Sequence, residues 1–271
     1  QIGGDFTVTY ADAETADTRV LYADFGSLTY SAKNTAISVG NTNYAELFYA
    51  EDDISIKNTG DFTMTVGEAH DDTDLMYAYW GKVFIENTGT MTLTSGKSYG
   101  YNYGIDANED CIILNDGDFT LDVGDGEESL YGIDCENLSI VSNKALTVKT
   151  GESKSNGCYA LSADNKATFM CSGTVDIEAG DGDDYSSALC AEDIQIAGDA
   201  KYNFKTGDSA NGYAEGMYGY SVRIGNEADV TIDVGLTNGN DHSGYGICAD
   251  DLVVTDAATL NVTVAGAPNG V

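Results

Sequence analysis

The chain has 271 residues, of which 45 are Asp or Glu and only 12 are Lys or Arg, so its formal net charge is −33. This charge repels phosphate backbones and anionic membrane surfaces, and we therefore expect no nucleic acid partner. The sequence contains no run of 18 apolar residues, so we also expect no membrane insertion.

An alternation of apolar and polar residues, Phe6-Thr-Val-Thr-Tyr10, opens the chain and is typical of a β-strand with one buried face. The pattern occurs ten times along the sequence, at spacings of 25 to 31 residues. Its first apolar positions are Phe6, Ile37, Phe62, Met91, Phe119, Leu146, Val175, Tyr202, Val230 and Leu260. This period predicts a solenoid in which each repeat forms one coil.

Two further strands follow in each repeat. The second strand is anchored by Phe48, Tyr77, Ile105, Ile133, Leu161, Leu189, Met217 and Ile247. The third strand begins at Ile54, Val83, Cys111, Leu138, Ala167, Ile194, Val222 and Leu252. Three short strands in fixed order, with one Pro in the chain and no helical pattern, predict an all-β, right-handed parallel β-helix of about ten coils of roughly 28 residues.

The turns and the inward columns carry more specific expectations. Asn58, Asn87 and Asn115 precede the first strand of successive coils, and we expect their amides to stack as a ladder. A tyrosine column lies two places before the second-strand anchor, and strand alternation places its rings in the interior. Its members are Tyr103, Tyr131, Tyr159 and Tyr245.

We expect residues 1–264 to form one domain and residues 265–271 to form a C-terminal linker or tail. Neither end of the repeat carries an amphipathic capping helix. Uncovered terminal coils are open to pairing with another strand, so end-to-end self-association is a second expectation.

Acidic loops after the first strand are candidates for binding Ca²⁺, because loops can wrap an ion and carboxylates are its preferred ligands. The residues concerned are Asp71, Asp72, Asp125, Glu127, Asp181, Asp183 and Asp184. None of these loops has the spacing of an EF-hand, and carboxylates that simply extend into water are the alternative.

Aromatic residues outside the strands are candidates for binding a ligand. Trp80 and Tyr220 occupy a turn that holds an acidic or amide side chain in most other coils, and an exposed aromatic ring there suggests contact with a partner. Flat rings in the loops can stack on sugar faces while carboxylates accept hydrogen bonds from hydroxyl groups. The loop rings are Tyr99, Tyr101, Tyr185 and Tyr213.

The sequence offers little material for catalysis. His70 and His242 are the only histidines and stand far apart, which disfavours a zinc site or a Ser-His-Asp triad. Arg19 and Arg223 are the only arginines, so the basic group of a polysaccharide lyase has few candidates. The six cysteines include no C-x-x-C pair, and we expect buried thiols that pack as small apolar residues.

The coil pattern resembles the pectate-lyase-like superfamily of right-handed parallel β-helices. The Tyr-Gly-Ile-Asp segments at Tyr103 and Tyr131 are similar to those of adhesin-like or carbohydrate-binding surface proteins of anaerobic bacteria. No catalytic pattern of the lyases can be carried over onto these residues, so the resemblance implies architecture rather than activity.

These observations favour a non-catalytic module, secreted or on the bacterial cell surface, that binds a polysaccharide, a host or bacterial glycan or another surface protein, with Ca²⁺ as a cofactor and no organic cofactor. A structural stalk or filament subunit that stacks end to end is one alternative. A lyase or hydrolase that acts on polysaccharide is the other.

Overall fold

The computed structural model describes residues 4–238, 243–255 and 257–265. This part of the chain is built from strands without a helix. The first twelve are β1 (Asp5–Tyr10), β2 (Ala13–Ala23), β3 (Leu28–Ala32), β4 (Asn34–Val39), β5 (Thr42–Ala50), β6 (Ile54–Asn58), β7 (Asp61–Val66), β8 (Thr73–Ala78), β9 (Val83–Asn87), β10 (Thr90–Thr94), β11 (Asn102–Asn115) and β12 (Asp118–Val123). The others are β13 (Leu130–Ser142), β14 (Leu146–Thr150), β15 (Gly157–Cys171), β16 (Thr174–Ala179), β17 (Tyr185–Cys190), β18 (Asp193–Ala197), β19 (Lys201–Thr206), β20 (Tyr213–Tyr218), β21 (Ser221–Ile224), β22 (Asp229–Val234), β23 (Gly244–Cys248), β24 (Asp251–Val254) and β25 (Thr259–Val264).

One side of the molecule is a ten-stranded sheet that contains the first strand of every coil. Its order is β1-β4-β7-β10-β12-β14-β16-β19-β22-β25, and its strands pair in parallel. Phe119 pairs with Leu146 and Met91 with Phe119, so each strand pairs with its equivalent one repeat away. The all-β parallel solenoid predicted from the sequence is confirmed, with about nine turns at a spacing near 28 residues.

The second and third strands of the coils form a fifteen-stranded sheet. The second strands follow the order β2-β5-β8-β11-β13-β15-β17-β20-β23. Three of them, β11, β13 and β15, continue into the third-strand position, where β9 joins β11 and β18 joins β15. The outward side of the second-strand positions of this sheet carries the site described below.

The interior is a continuous column of apolar side chains. Its largest members are buried aromatic rings, Phe48, Phe62, Phe119, Phe169, Tyr202 and Phe204. Burial of such a side chain contributes roughly 1.5–3 kcal/mol each, because apolar surface leaves water. Cys111, Cys135, Cys158 and Cys171 are buried as free thiols, as expected, whereas Cys190 and Cys248 are only partly buried.

The register corrects two positions in the predicted columns. Thr35, not Ile37, pairs with both Phe6 and Phe62, and its hydroxyl is satisfied by Tyr30 Oη at 2.8 Å. Met76, not Tyr77, pairs with Ile105. The spacing of the repeat is therefore more regular than the apolar residues alone suggested. Thr35 and Met76 occupy the column positions that the sequence pattern assigned to Ile37 and Tyr77.

The predicted amide ladder is confirmed. Asn58 Nδ2 donates to Asn87 Oδ1 at 2.7 Å, and Asn87 Nδ2 donates to Asn115 Oδ1 at 2.8 Å. The ladder ends on the hydroxyl of Ser142, 2.9 Å from Asn115 Nδ2. All four side chains are buried, so each bond satisfies polar groups that have no access to water.

The glycines beside this ladder are required by space rather than by a left-handed backbone. A Cβ at Gly89 would collide with the carbonyl oxygen of Gly60, and one at Gly117 with that of Gly89. Positive φ occurs instead in the turn at Asn226, where φ is 53°. At the ladder, the stacking of coils removes the room for a Cβ while φ stays outside the left-handed region.

No helix in the described ranges is long and apolar enough to cross a membrane. The predicted C-terminal tail, residues 265–271, lies outside the described residues from position 266 onward, as does His242.

Candidate functional site

The second strand contains a step that breaks the alternation of inward and outward side chains. Gly104 and Ile105 are both buried, and Gly132 and Ile133 repeat this one coil later. A Cβ at Gly104 would contact the side chain of Leu121 at 2.7 Å, which shows how closely the backbone approaches the core. Because two consecutive residues use the interior, the residue before them turns outward.

This step corrects the prediction that the tyrosine column is internal. Tyr103, Tyr131 and Tyr159 pair in register on the outward side and are partly exposed, and Tyr245 is 37% exposed. The prediction counted inward and outward residues in strict alternation, without the extra inward residue. It therefore placed the tyrosines on the wrong side of the sheet. Three residues after Tyr103 and Tyr131, Asp106 and Asp134 also face outward and pair with each other.

We call this surface the tyrosine–carboxylate face and define it by two sets of side chains. The first is the tyrosine ladder, made of Tyr101, Tyr103, Tyr131, Tyr159, Tyr185, Tyr213 and Tyr245. The second is a set of carboxyl groups, Glu46, Asp74, Asp106, Asp134 and Glu215.

The rings of the ladder stack along the axis of the solenoid. Ring centroids of Tyr103 and Tyr131 are 4.9 Å apart with planes 5° from parallel, and those of Tyr131 and Tyr159 are 5.1 Å apart at 10°. The stack continues through Tyr185 and Tyr213 at centroid distances of 6.3 and 5.8 Å. A ring between two neighbours in the stack has both faces covered by those neighbours. It therefore offers a ligand mainly its edge and its hydroxyl group.

A second run of aromatic rings covers the preceding coils. Tyr22 stacks on Tyr49 at 4.4 Å, and Tyr49 meets Tyr77 edge to face at 5.7 Å. Tyr79 then links Tyr77 to Trp80, which is 61% exposed. The charges of Asp74 and Asp106 act on both Tyr77 and Tyr103, so these two acids lie between the second run and the ladder.

Glu46 and Asp74 form the most buried part of the face, with exposed fractions of 4% and 6%. Tyr44 Oη lies 3.0 Å from Asp74 Oδ2 and 3.3 Å from Glu46 Oε1. Burial raises the pKa of Asp74 well above its usual range, against the opposing hydrogen bond from Tyr44.

Asp106 and Asp134 are half-buried on adjacent coils. Burial, followed by the charge of Asp134, raises the pKa of Asp106 to about 7. Burial also raises the pKa of Asp134, although a hydrogen bond from Ser162 lowers it in part. The face therefore carries carboxyl groups that change charge near neutral pH, a property that clusters at functional sites.

Glu215 is the carboxyl group of the later coils, and burial raises its pKa to about 7. It pairs in register with Ser187, which in turn pairs with Tyr159, so all three share one outward column. Ser187 is 1% exposed, and its hydroxyl has no hydrogen-bond partner in the described part of the chain. Serine in place of a tyrosine interrupts the column, and the ladder passes through Tyr185 at this coil.

Many acidic side chains elsewhere are compensated by a neighbouring coil. Asparagine amides donate across one coil to Asp5, Asp17, Asp110, Asp116, Glu128, Glu136, Asp176 and Asp183. Glu127 lies between Lys97 and Lys154, at N–O distances of 3.0 and 2.7 Å. On the tyrosine–carboxylate face, Arg19 is the one cation in a salt bridge within the described residues, 2.6 Å from Glu46.

The residues predicted to bind a ligand do not form a single site. Tyr101, Tyr185 and Tyr213 belong to the tyrosine ladder. Tyr99 lies apart, stacked on His70 at 5.6 Å with Lys97 Nζ 4.0 Å from its ring centroid. Trp80 and Tyr220 are exposed, but their turns are five coils apart, roughly 24 Å at the usual strand spacing, so they do not form one site.

The carboxylates predicted to bind Ca²⁺ are not brought together. In the described ranges no three His, Cys, Asp or Glu side chains have an arrangement that fits a metal ion. Asp72, Asp125 and Asp181 accept the backbone N–H of Tyr101, Glu152 and Asp208, each on the next coil. Glu127 binds its two lysines and Asp183 the amide of Asn211, while Asp71 and Asp184 are exposed.

The fold and the site define a parallel β-solenoid with an aromatic and acidic face. In comparisons with protein-family models, curated proteins and solved structures, nothing matches this chain. Sequence reasoning missed Asp106, Asp134 and Glu215 as site residues. The repeated Tyr-Gly-Ile-Asp segment was the available signal, because it places a tyrosine and an acid three residues apart in consecutive coils.

Proposed function

We propose that this protein is a non-catalytic binding module that holds an extended polysaccharide along the tyrosine–carboxylate face. One observation carries the proposal: the tyrosine ladder places one phenol group per coil along six consecutive coils, from Tyr103 to Tyr245. At the usual strand spacing this row is about 24 Å long. A row of regularly spaced polar groups matches a polymer that presents hydroxyl groups at regular intervals.

The chemistry of the face fits a sugar polymer. Phenol hydroxyls donate and accept hydrogen bonds, and carboxylates accept them from sugar hydroxyls. Ring edges supply apolar contact to C–H groups, and the rigid rings lose little conformational entropy when they bind. The resemblance to carbohydrate-binding surface proteins of anaerobic bacteria supports this proposal. We also propose that the protein is located outside the cell.

The test is a binding assay with neutral, acidic and amino-sugar oligosaccharides, followed by calorimetry on those that bind. Tyr131→Ala with Tyr159→Ala removes the centre of the ladder, and Thr92→Ala with Thr120→Ala on the ten-stranded sheet is the matched control. We expect affinity to fall at least about tenfold in the tyrosine variant, roughly 1.4 kcal/mol, and to be unchanged in the control.

Two outcomes would overturn this proposal. One is that no oligosaccharide of any class binds the wild-type protein. The other is that binding survives in a correctly folded tyrosine variant. The same incubations, analysed for shortened oligosaccharides, test the alternative of a polysaccharide lyase or hydrolase.

A second candidate function, end-to-end assembly, is favoured by the last coil of the described chain. Leu252, Val254, Val262 and Val264 are 41–49% exposed there. Exposed apolar side chains next to the unpaired edges of β24 and β25 are suited to contact with another strand. Light scattering over a range of protein concentrations tests it, and Val262→Lys is expected to abolish any concentration-dependent growth in mass.

A further inference from the structure

We infer that the polysaccharide bound at this face carries protonated amino groups, and that these ammonium groups bind beside Glu215 and Asp106. The ligand class is therefore an amino-sugar polymer with free amines. The inference rests on the proposed function, since it names the kind of polysaccharide that the tyrosine–carboxylate face selects.

Charge compensation at Asp106 and Glu215 differs from that of other acids on the surface. Elsewhere, asparagine and lysine side chains of neighbouring coils satisfy many of the carboxylates, as Lys149 and Lys205 do for Glu178. The structure shows no hydrogen bond from a described residue to the carboxyl group of Asp106 or of Glu215. Other carboxyl groups without a partner among the described residues, such as Asp122 and Asp233, are exposed to water, whereas Asp106 and Glu215 are half-buried. These two are therefore suited to a partner that brings its own positive charge.

Glu215 and Ser187 form a pair on this face. Their side chains occupy neighbouring positions of one outward column, and the hydroxyl of Ser187 is buried without a partner. A buried polar group without a hydrogen bond is costly, and native structures keep few of them. An ammonium group donates three hydrogen bonds, so it can satisfy the carboxylate of Glu215 and also donate to Ser187 Oγ.

The surroundings strengthen attraction to a cation. Glu215 lies close enough to Tyr159, Tyr218 and Cys190 for its charge to raise the pKa of each, so aromatic and apolar groups surround it. Low local polarity increases the interaction between opposite charges.

The ligand approaches through a shallow depression beside this column. It has a volume of about 180 Å³ and is lined in part by Ser162, Cys190, Tyr218 and Tyr220. The depression thus connects Tyr220, an aromatic residue singled out from the sequence, with the outward side chains next to Glu215.

Asp106 provides the second position, about four coils away. The charge of Asp134 raises the pKa of Asp106, and that of Asp106 raises the pKa of Asp74, because neighbouring carboxylates repel each other where little water screens them. A bound ammonium relieves this repulsion. A neutral sugar would instead bury the carboxylates without a counter-charge, and a uronate polymer would add to a net charge of −33.

Binding by this mechanism is coupled to protons. Burial raises the pKa of both Asp106 and Glu215 to about 7, so near neutral pH each exchanges between the neutral and the charged form. An ammonium group stabilises the charged form, so binding releases protons. As long as the amine stays protonated, affinity should rise as the pH increases through the range in which the two carboxyl groups ionise.

The experiment compares glucosamine oligomers with their fully N-acetylated counterparts of the same length, by calorimetry on the full chain. Removal of the charge by acetylation leaves the backbone and the hydroxyl groups in place. We expect the free-amine oligomer to bind at least about tenfold more tightly. A lysine peptide of equal charge serves as the control for attraction to a cation without sugar recognition.

Isosteric variants test whether the ammonium groups bind at Glu215 and Asp106. Glu215→Gln and Asp106→Asn remove charge with little change in shape, and each is expected to weaken binding of the free-amine oligomer several-fold. Asp233→Asn, an exposed acid on the ten-stranded sheet, is the matched control and should leave affinity unchanged. Far-ultraviolet circular dichroism and melting curves establish that each variant is folded.

The outcomes separate this inference from the proposed function. Equal or tighter binding of N-acetylated or neutral oligomers overturns the inference while the binding function stands. Preferential binding of a uronate oligomer, with or without Ca²⁺, also overturns it, as does equal binding of the lysine peptide and the amino-sugar oligomer. Absence of binding to every oligosaccharide overturns the proposed function itself.

Discussion

Tyr103 and Tyr131 stack almost parallel, 4.9 Å apart between ring centroids, on the outside of a sheet whose inward side is the core. Their position follows from the glycines behind them, which let two consecutive residues turn inward. The stack joins coils that are also joined by backbone pairing, so the same rings contribute to stability and present a regular surface to a ligand. Substitutions that separate these two roles are therefore the most informative.

Tyr131→Phe keeps the stacked ring and removes the hydroxyl group. We expect a change in unfolding free energy within about 0.5 kcal/mol but weaker polysaccharide binding, because the ring contacts persist while one hydrogen-bonding group is lost. Tyr131→Ala should cost roughly 1–2 kcal/mol, since it loses stacking on both Tyr103 and Tyr159. Urea denaturation together with calorimetry checks this, and equal binding by the Phe variant would show that the hydroxyl row does not contact the ligand.

Asp106→Asn should stabilise the protein at pH 8 and leave it unchanged at pH 4. The pKa of Asp106 is about 7 in the folded protein, whereas an unfolded Asp titrates near 3.9, so the folded form binds the proton more tightly. The stabilising contribution is complete below about pH 4 and is lost as the pH rises through 7. After allowance for partial solvent exposure, the difference at pH 8 is on the order of 1 kcal/mol.

Melting temperatures at the two pH values measure this difference. Asp233→Asn is the control, because its carboxyl group is exposed on the opposite sheet. A gain at pH 8 that is equal in the two variants would attribute the effect to net charge and not to burial of Asp106.

Asn87→Ala should be strongly destabilising. Asn87 is fully buried, donates to Asn115 and the carbonyl of Asp118, and accepts from Asn58, so its removal leaves several buried groups without partners. We expect a loss of roughly 2–3 kcal/mol in chemical denaturation. Asn165→Ala removes an exposed amide that bonds Glu136 at 2.9 Å and should cost no more than about 0.5 kcal/mol. Similar losses in both variants would contradict the ladder's structural role.

Asp181 tests the role of the acidic loops. Its carboxylate accepts the backbone N–H of Asp208 at 2.7 Å, and Asp181→Asn keeps an oxygen for that bond. We expect the Asn variant to be as stable as the wild type and Asp181→Ala to lose about 1 kcal/mol. Melting curves with millimolar CaCl₂ and with chelator complete the test. A calcium-dependent stabilisation present in the wild type and absent from Asp181→Asn would assign this carboxylate to a cation, as the sequence pattern predicted.

The sequence was sufficient for the architecture because a solenoid repeats its own local pattern. The apolar residues at intervals near 28 predicted the strands, and the asparagines at 58, 87 and 115 predicted a ladder that is confirmed by two amide hydrogen bonds. The errors at Ile37 and Tyr77 arose where a threonine or a neighbouring aromatic residue obscured the correct column. Pairing between coils resolves these cases, since backbone register does not depend on side-chain polarity.

The tyrosine–carboxylate face was harder to predict, because one extra inward residue decides on which side of the sheet the tyrosines lie. Alternation along a strand predicts the side on which Tyr103 lies only if every residue alternates. Gly104 and Ile105 break the alternation, because both are buried. Burial of Asp74, Asp106 and Glu215 likewise depends on rings that belong to other coils, tens of residues away in the chain.

The amino-acid sequence by itself determined the repeat, the parallel all-β fold and the strong negative charge, since each is a sum over local pattern or composition. Only the tertiary structure decided which side of the sheet the tyrosines occupy, which acids are compensated by asparagine and lysine, and which are not. The physical reason is that these properties arise from contacts between coils. Each coil contributes one ring, one amide or one carboxyl group, and stacking at the strand spacing turns them into a ladder or a site.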